Sequence, residues 1–380
     1  MKVSVMGAGP AGSTAAYYLA RAGVEVDLVD RVPFPRDKPC AGGLFNPREY
    51  DREFPHLRDL EGMQVHRVEF RCGGKGASQA CAGRDSSPAS ACRDSLPASA
   101  CWVSEEPLVR TVLRRDLDSF LHRRAVEAGA VFRVGSNPRY DEVIDATGTG
   151  PPGRYRRAGI CLVNDFPADH DLDRVVVHYG FMGIMGYCWV FPKRGYLNVG
   201  VGAYLPRPEV RLVYRRFLGN LEDSGTAVLK NRELLQSRGS PEDRSRRENR
   251  NYRAGIIPFA PLSRFHRGNT LVTGDAAGMV NPSTGEGIFF AMLSGKLAAQ
   301  ALMEGRDPSW YDRRCREAFG AWLRPAALGG NRRLLNAVLC RAVGLASRDR
   351  AFLHLMAENF FRLERRPPAW PFLRGMLRKS

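Results

Sequence analysis

The chain has 380 residues, 26% of them charged and 44% hydrophobic, with 57 Lys and Arg against 40 Asp and Glu and a formal net charge of +17. That length permits one large α/β domain or two modest ones, and a mean hydropathy of −0.32 with this composition excludes a disordered chain. No run of eighteen or more apolar residues occurs, which excludes a membrane-spanning helix. The basic balance points to nucleic acid, anionic lipid or an acidic substrate as partner.

Residues 2–30 read strand, glycine turn, helix, strand. Residues 2–6 and 24–30 read as short buried strands, and residues 10–22 form a small-residue helix stopped by Gly23. The apolar stretch 3–20 carries Gly7, Gly9 and Gly12 at motif spacing and has no basic lead beyond Lys2, so it is not read as an export signal. Without such a signal or a Cys-x-x-Cys pair, Cys40, Cys72, Cys81, Cys92, Cys101, Cys161, Cys188, Cys315 and Cys340 read as reduced cytosolic thiols. Residues 84–92 and 93–101 are a tandem nonapeptide, read as a duplicated surface loop, because spacings of eleven and nine among Cys81, Cys92 and Cys101 match no metal site.

The spacing of Leu113, Leu117, Phe120, Leu121 and Ala125 predicts an amphipathic helix over 108–128, ended by Gly129. Residues 143–148 (VIDATG) read as a strand entering a glycine turn. From 155 to 262 alternating runs at 174–179, 187–191 and 196–201 predict antiparallel strands, with 240–253 as a solvated loop. Residues 269–274 are a strand, 285–303 a long helix opening in a glycine turn, and 308–380 a helical, basic remainder.

Gly7-Ala-Gly9-Pro-Ala-Gly12 lies between the first strand and helix. Gly7 permits the tight turn, Gly9 lets the backbone approach a pyrophosphate, and Gly12 lets helix and strand pack closely. Asp30, eighteen residues after Gly12, is placed to accept hydrogen bonds from ribose hydroxyls. This pattern predicts a dinucleotide site without separating FAD from NAD. The segment Thr273-Gly274-Asp275-Ala-Ala-Gly278, followed by Asn281-Pro282-Ser-Thr-Gly285-Glu286-Gly287-Ile288, does separate them. It sets a carboxylate where a flavin's ribityl chain runs, ahead of a helix whose N–H groups stabilise negative charge.

These motifs resemble the FAD-dependent monooxygenase and reductase superfamily that includes p-hydroxybenzoate hydroxylase. Two more are similar to the geranylgeranyl reductase family: Phe34-Pro-Arg-Asp-Lys38-Pro-Cys40-Ala41-Gly42-Gly43-Leu, and Tyr187-Cys-Trp189-Val-Phe191-Pro192-Lys193. The resemblance covers most of 1–305 and fades in the last 70 residues. It implies an α/β fold: a Rossmann-type FAD-binding domain with an inserted antiparallel β-rich substrate domain and a helical C-terminal region. The boundaries that go with it are 1–60, 102–154 and 264–307 for the FAD-binding domain, 61–101 and 155–263 for the substrate domain, and 308–380 for the helical region. It also implies that Gly7, Gly9, Ala11, Gly12, Asp30, Arg31, Cys40, Ala41, Gly42, Arg114, Thr147, Gly148, Gly274, Asp275, Gly285, Gly287 and Ile288 contact FAD. Cys40 and Tyr187 would be catalytic.

Tyr187, Trp189 and Phe191 alternate, so one strand face presents all three. With Pro192 they would wall a polyprenyl site, where each buried CH₂ contributes about 0.8 kcal/mol. The implied activity is FAD-dependent reduction of C=C bonds in a geranylgeranyl or polyprenyl group. Cys40, Tyr187 or water would give the proton, and NAD(P)H or a ferredoxin-like donor the electrons. A flavin-dependent monooxygenase or halogenase shares both FAD motifs but not the KPCAGG segment. Nucleic-acid binding is set aside, because no recognised reader motif is present. From Arg313 onward there are fifteen Lys and Arg and four Asp and Glu, interleaved with Phe352, Leu355, Phe360, Phe361, Trp370 and Phe372. That mixture predicts a cytoplasmic protein lying peripherally on an anionic membrane.

Overall fold

The computed structural model describes residues 2–73, 98–135, 142–150, 158–204, 206–223, 252–323, 332–361 and 363. Its first sheet grows from the run Lys2–Met6 (β1), whose Val3 and Val5 are fully buried. β1 pairs in parallel with Glu25–Asp30 (β2) on one side and Glu142–Asp145 (β9) on the other. Val131–Val134 (β8) extends it beyond β2, Thr270–Val272 (β16) extends it beyond β9, and His266–Arg267 (β15) closes that edge antiparallel. A parallel strand covered by helices is buried on both faces, and in β1 and β2 the polar Ser4 and Asp27 are buried along with the apolar residues beside them. Helix Pro10–Arg21 (α1) packs on Arg114–Glu127 (α3) and on Ile288–Met303 (α5). The α1–α5 approach is close enough that a Cβ on Gly295 would sit 2.2 Å from the Ala11 carbonyl oxygen.

A second sheet has seven strands in the order β14-β10-β13-β12-β11-β5-β6. These are Arg67–Cys72 (β5), Ala98–Val103 (β6), Ala158–Pro167 (β10), Arg174–Tyr179 (β11), Gly186–Lys193 (β12), Tyr196–Ala203 (β13) and Arg253–Pro258 (β14). Pairing is antiparallel throughout except between β5 and β11. Alternation divides β12 between two cores. Cys188 and Val190 pack with Val210, Tyr214 and Phe217 of Arg207–Asp223 (α4). Trp189 and Phe191 face the opposite way, into a cluster that includes Ala342, Val343, Phe352 and Phe361 of the helices Arg332–Ala346 and Arg350–Phe361. A small third sheet joins Gly43–Phe45 (β3), Met63–Val65 (β4) and Val109–Val112 (β7). Pro47–Glu53 (α2) follows β3, and Pro308–Leu323 (α6) packs on α5 and the β15–β16 edge.

Four expectations are corrected. The helix predicted over 108–128 begins only at Arg114, because Val109, Arg110, Thr111 and Val112 form a buried strand between β3 and β4. The β-branched residues there fit a pleated, two-sided environment better than a helix. Residues 98–101 of the second nonapeptide are the start of β6 rather than loop, while the remainder of the repeat lies outside the described residues. Cys72 of β5 and Cys340 of the Arg332–Ala346 helix form a disulfide across 268 residues, so these two are not reduced thiols. A non-reducing proteolytic digest should yield the Cys72 and Cys340 peptides linked, and their recovery only as separate free thiols would contradict this pairing.

The fourth concerns the C-terminal helices. Phe352 and Phe361 are buried against the second sheet and Phe360 is half-buried there, so these side chains form core and not a membrane-facing surface. Trp370 and Phe372 lie outside the described residues. Among the described residues no helix is long and apolar enough to cross a membrane.

Candidate active site

The glycine turn is set by contacts that only glycine tolerates. Gly7 has φ +99°, and a Cβ on it would lie 2.2 Å from the Ala146 carbonyl oxygen. A Cβ on Gly12 would lie 1.7 Å from the Gly7 carbonyl oxygen. Helix α1 starts at Pro10 with Gly9 as N-cap and no side-chain cap, leaving its first N–H groups for a ligand. Asp30, at the end of β2, accepts the Ala8 N–H at 2.8 Å and so ties the turn to the strand.

Arg31 is exposed. Arg36 holds the position by the turn: its Nη2 is 3.0 Å from where a Gly9 Cβ would be, 3.2 Å from Asp118, and its Nη1 is 3.6 Å from Asp30. The Arg36 Nε is buried with no hydrogen-bond partner among the described residues. An open glycine cradle, a free helix N-terminus and an orphaned guanidinium N–H together fit a dinucleotide's diphosphate. Arg36 and Asp118 were not among the predicted site residues. Arg36 stood inside the FPRDKPC segment and Asp118 beside Leu117, but nothing local showed that they meet.

Arg114 is buried and grips Asp118 with two hydrogen bonds of 3.0 Å. Burial works against its charge, but Asp118 and a hydrogen bond to the Cys40 side chain more than offset that, so it stays a cation. Gly148 and Thr147 close the β9 turn, where Thr147 N and Oγ1 bond Asp145 at 3.1 and 2.6 Å and Thr147 itself is exposed. After β16, Gly274 N donates to Ser294 Oγ, and the Asp275 carboxylate meets Lys38 Nζ at 2.9 Å. The other oxygen of Asp275 is 3.4 Å from where a Gly287 Cβ would be, so this carboxylate lies at the N-terminus of α5, whose first residue Ile288 is buried. Gly285 donates to the Asn281 carbonyl, and Glu286 accepts from Tyr50 Oη at 3.0 Å and Phe289 N at 2.9 Å. Burial pushes the Glu286 carboxyl up despite those hydrogen bonds.

The KPCAGG loop is fastened to the second sheet through Asn198 of β13. Asn198 Nδ2 donates to the Cys40 carbonyl at 3.2 Å and to Asp165 at 2.6 Å, and its Oδ1 accepts Trp189 Nε1 at 2.7 Å. Asp165 is also bonded by Arg253, which reaches Asp37 at 3.3 Å. Ala41 packs against the second-sheet core. Tyr187 donates to the Thr284 carbonyl, joining β12 to the loop before α5, and burial raises its phenol. Of the aromatic stripe, Trp189 and Phe191 are 3% and 0% exposed, so Tyr187 is the member left half-buried. The Pro192 carbonyl accepts Thr111 Oγ1 at 2.6 Å. Cys40, Arg114, Tyr187 and Glu286 with the α5 N-terminus therefore converge from four separate segments, while Arg31 and Thr147 stand outside this cluster.

Comparison with known proteins accords with this geometry. Residues 1–50 match a family model described as FAD binding domain. Digeranylgeranylglycerophospholipid reductase 2 of Methanothermobacter thermautotrophicus is 29% identical over 84% of this chain and 84% of its own length. Geranylgeranyl diphosphate reductase of Rhodobacter capsulatus is 29% identical over 79% of this chain and 74% of its own. The solved structure of a geranylgeranyl bacteriochlorophyll reductase-like protein from Thermoplasma acidophilum superposes with a TM-score of 0.68 at 21% identity, covering 99% of this chain and 98% of that one. A flavin-dependent brominase shares the fold at a TM-score of 0.56 and 15% identity, over 100% and 99% of the two chains. The resemblance to the geranylgeranyl reductase family is borne out, and with it the α/β fold with a Rossmann-type FAD-binding domain and the assignment as an FAD-dependent oxidoreductase.

Proposed function

We propose that this FAD-dependent oxidoreductase hydrogenates C=C bonds of a geranylgeranyl or other polyprenyl group carried on a lipid or isoprenoid. The observation that carries the reading is the bond network Cys40–Asn198–Trp189 and Tyr187–Thr284, which brings the KPCAGG loop, the aromatic strand and the α5 N-terminus to one place. Gly7, Gly9, Gly12, Asp30 and Arg36 would hold the adenosine diphosphate half, and Gly274, Asp275, Gly285, Gly287 and Ile288 the flavin half. Bound and reduced, FAD supplies a hydride to one alkene carbon. Tyr187, its phenol kept protonated by burial, holds a proton at Oη for the other carbon, and Arg114 keeps the Cys40 side chain in place. Tyr187, the half-buried member of the stripe, would offer the substrate an apolar face, while Trp189 and Phe191 support it from the core.

NAD(P)H or a ferredoxin-like carrier would reduce the flavin. A lipid substrate together with the basic C-terminal residues favours peripheral attachment to an anionic membrane surface, on its cytoplasmic side. The domain limits given above are retained in this reading, with the first sheet as the FAD-binding part and the second as the substrate part. The test is anaerobic incubation of flavin-loaded protein with dithionite and a geranylgeranyl lipid, followed by mass spectrometry. Products heavier by two hydrogens per reduced bond are expected. An unchanged substrate, with halogenation or hydroxylation of an aromatic acceptor once oxygen is admitted, would favour the monooxygenase or halogenase alternative.

A further inference from the structure

Lys193 ends the aromatic strand β12 and is 1% exposed. Its Nζ donates to the Val112 carbonyl at 2.8 Å, and among the described residues no carboxylate forms an ion pair with it. Asp165, the acid that faces it, is already engaged by Asn198 and Arg253. The other charged or titratable groups that face it are Cys40 from the KPCAGG loop, Arg114 from α3 and Arg253 from β14. Two of these are cations. The ammonium also lies against the backbone of Gly42, so close that a Cβ there would be 1.3 Å from Nζ. Gly42 also has φ +84°, so both its conformation and this contact require glycine. A cavity of about 580 Å³ between α3 and the β12–β13 turn has Lys193 and Val112 in its wall.

A buried ammonium without a counter-ion is costly unless something that binds supplies the negative charge. Burial lowers the Lys193 amine to about 8, which still leaves it mostly charged at neutral pH. The Gly42 backbone lies directly against this ammonium, so an anion bound on the KPCAGG loop would sit beside a charge that no carboxylate of the described residues pairs with.

We propose that Lys193 is the fixed cation that stabilises the negative charge gained by the flavin on reduction, acting across the Gly42 backbone of the KPCAGG loop. This rests on the flavoprotein reading above and adds the residue that sets the cofactor's electron affinity. The role is electrostatic, since no bond forms or breaks at Nζ. Cys40 and Arg114 then shape the ring's surroundings, while Lys193 favours the reduced over the oxidised form.

The test is the two-electron midpoint potential of the bound flavin, measured by dye equilibration at saturating FAD. Wild-type protein is compared with Lys193→Met and Lys193→Gln. Methionine removes the charge at similar length, and glutamine keeps a donor for the Val112 carbonyl, so loss of that hydrogen bond cannot by itself explain a shift common to both. Both should prefer reduced flavin at least tenfold less than wild type does, a fall of about 30 mV for a two-electron couple. A merely structural lysine would weaken oxidised and reduced flavin alike and leave the potential in place. Flavin-loaded variants with the wild-type potential would overturn this inference alone. Wild-type protein unable to bind flavin would overturn the flavoprotein reading and this inference with it.

Discussion

Gly12→Ala is expected to yield protein without bound FAD and with a markedly lower melting temperature. The added Cβ would lie 1.7 Å from the Gly7 carbonyl oxygen and 3.1 Å from the Ala146 side chain. The first neighbour is backbone, in a residue itself held at φ +99°, so it cannot swing aside as a side chain could. Overpacking of this kind costs about 1–3 kcal/mol even where the surroundings can yield, and here the turn that presents the α1 N-terminus must open. The measurement is the flavin-to-protein absorbance ratio after purification, with thermal unfolding beside it. Gly219→Ala is the control: it lies in α4 with nothing within 4 Å of the added Cβ. It should retain full flavin and gain up to about 1 kcal/mol from helix propensity. A Gly12→Ala protein with wild-type flavin content would contradict the assigned diphosphate cradle.

Trp189→Ala carries the second large effect. Trp189 is 3% exposed and stacks on Phe191 with ring centroids 5.8 Å apart. Its removal should cost about 3–5 kcal/mol as a buried aromatic truncation. It also leaves the Asn198 amide oxygen without its indole partner, on the residue that anchors the Cys40 carbonyl. Lower stability and lost prenyl turnover should therefore appear together. Trp189→Phe separates the two contributions. It keeps most of the volume and removes the indole N–H, so it should cost about 1–2 kcal/mol and loosen the KPCAGG loop without emptying the core. Turnover unaffected by Trp189→Phe would mean that the Asn198 bridge does not position the loop.

Much of the cofactor side was legible in the sequence because it is local. The glycine turn, Asp30 and the Gly-Asp turn before α5 each lie within a short segment whose spacing states its geometry. The aromatic stripe was legible as a face, but which face was not. Alternation alone does not say that Trp189 and Phe191 are covered by helices arriving some 150 residues later. Asn198, Arg36 and Lys193 were missed for the same reason: their meaning comes from register and crossover. Asn198 meets Cys40 across 158 residues, and Lys193 meets Gly42 through Val112 of β7, which pairs with Gly43 and accepts the Lys193 hydrogen bond. The strand at 109–112 was hidden because its buried positions also fit the apolar spacing of the helix that follows it. The Cys72–Cys340 disulfide was illegible because no local pattern links β5 to a helix 268 residues later.

The central claim is that electrons pass from this protein's flavin into an isolated alkene. The most direct measurement photoreduces the flavin anaerobically and then adds a geranylgeranyl substrate, following the flavin absorbance without oxygen or any other acceptor. Reoxidation stoichiometric with the double bonds reduced is expected, and none with the fully saturated analogue. Flavin that stays reduced in the presence of the unsaturated chain, yet reoxidises promptly on admitting oxygen, would contradict it.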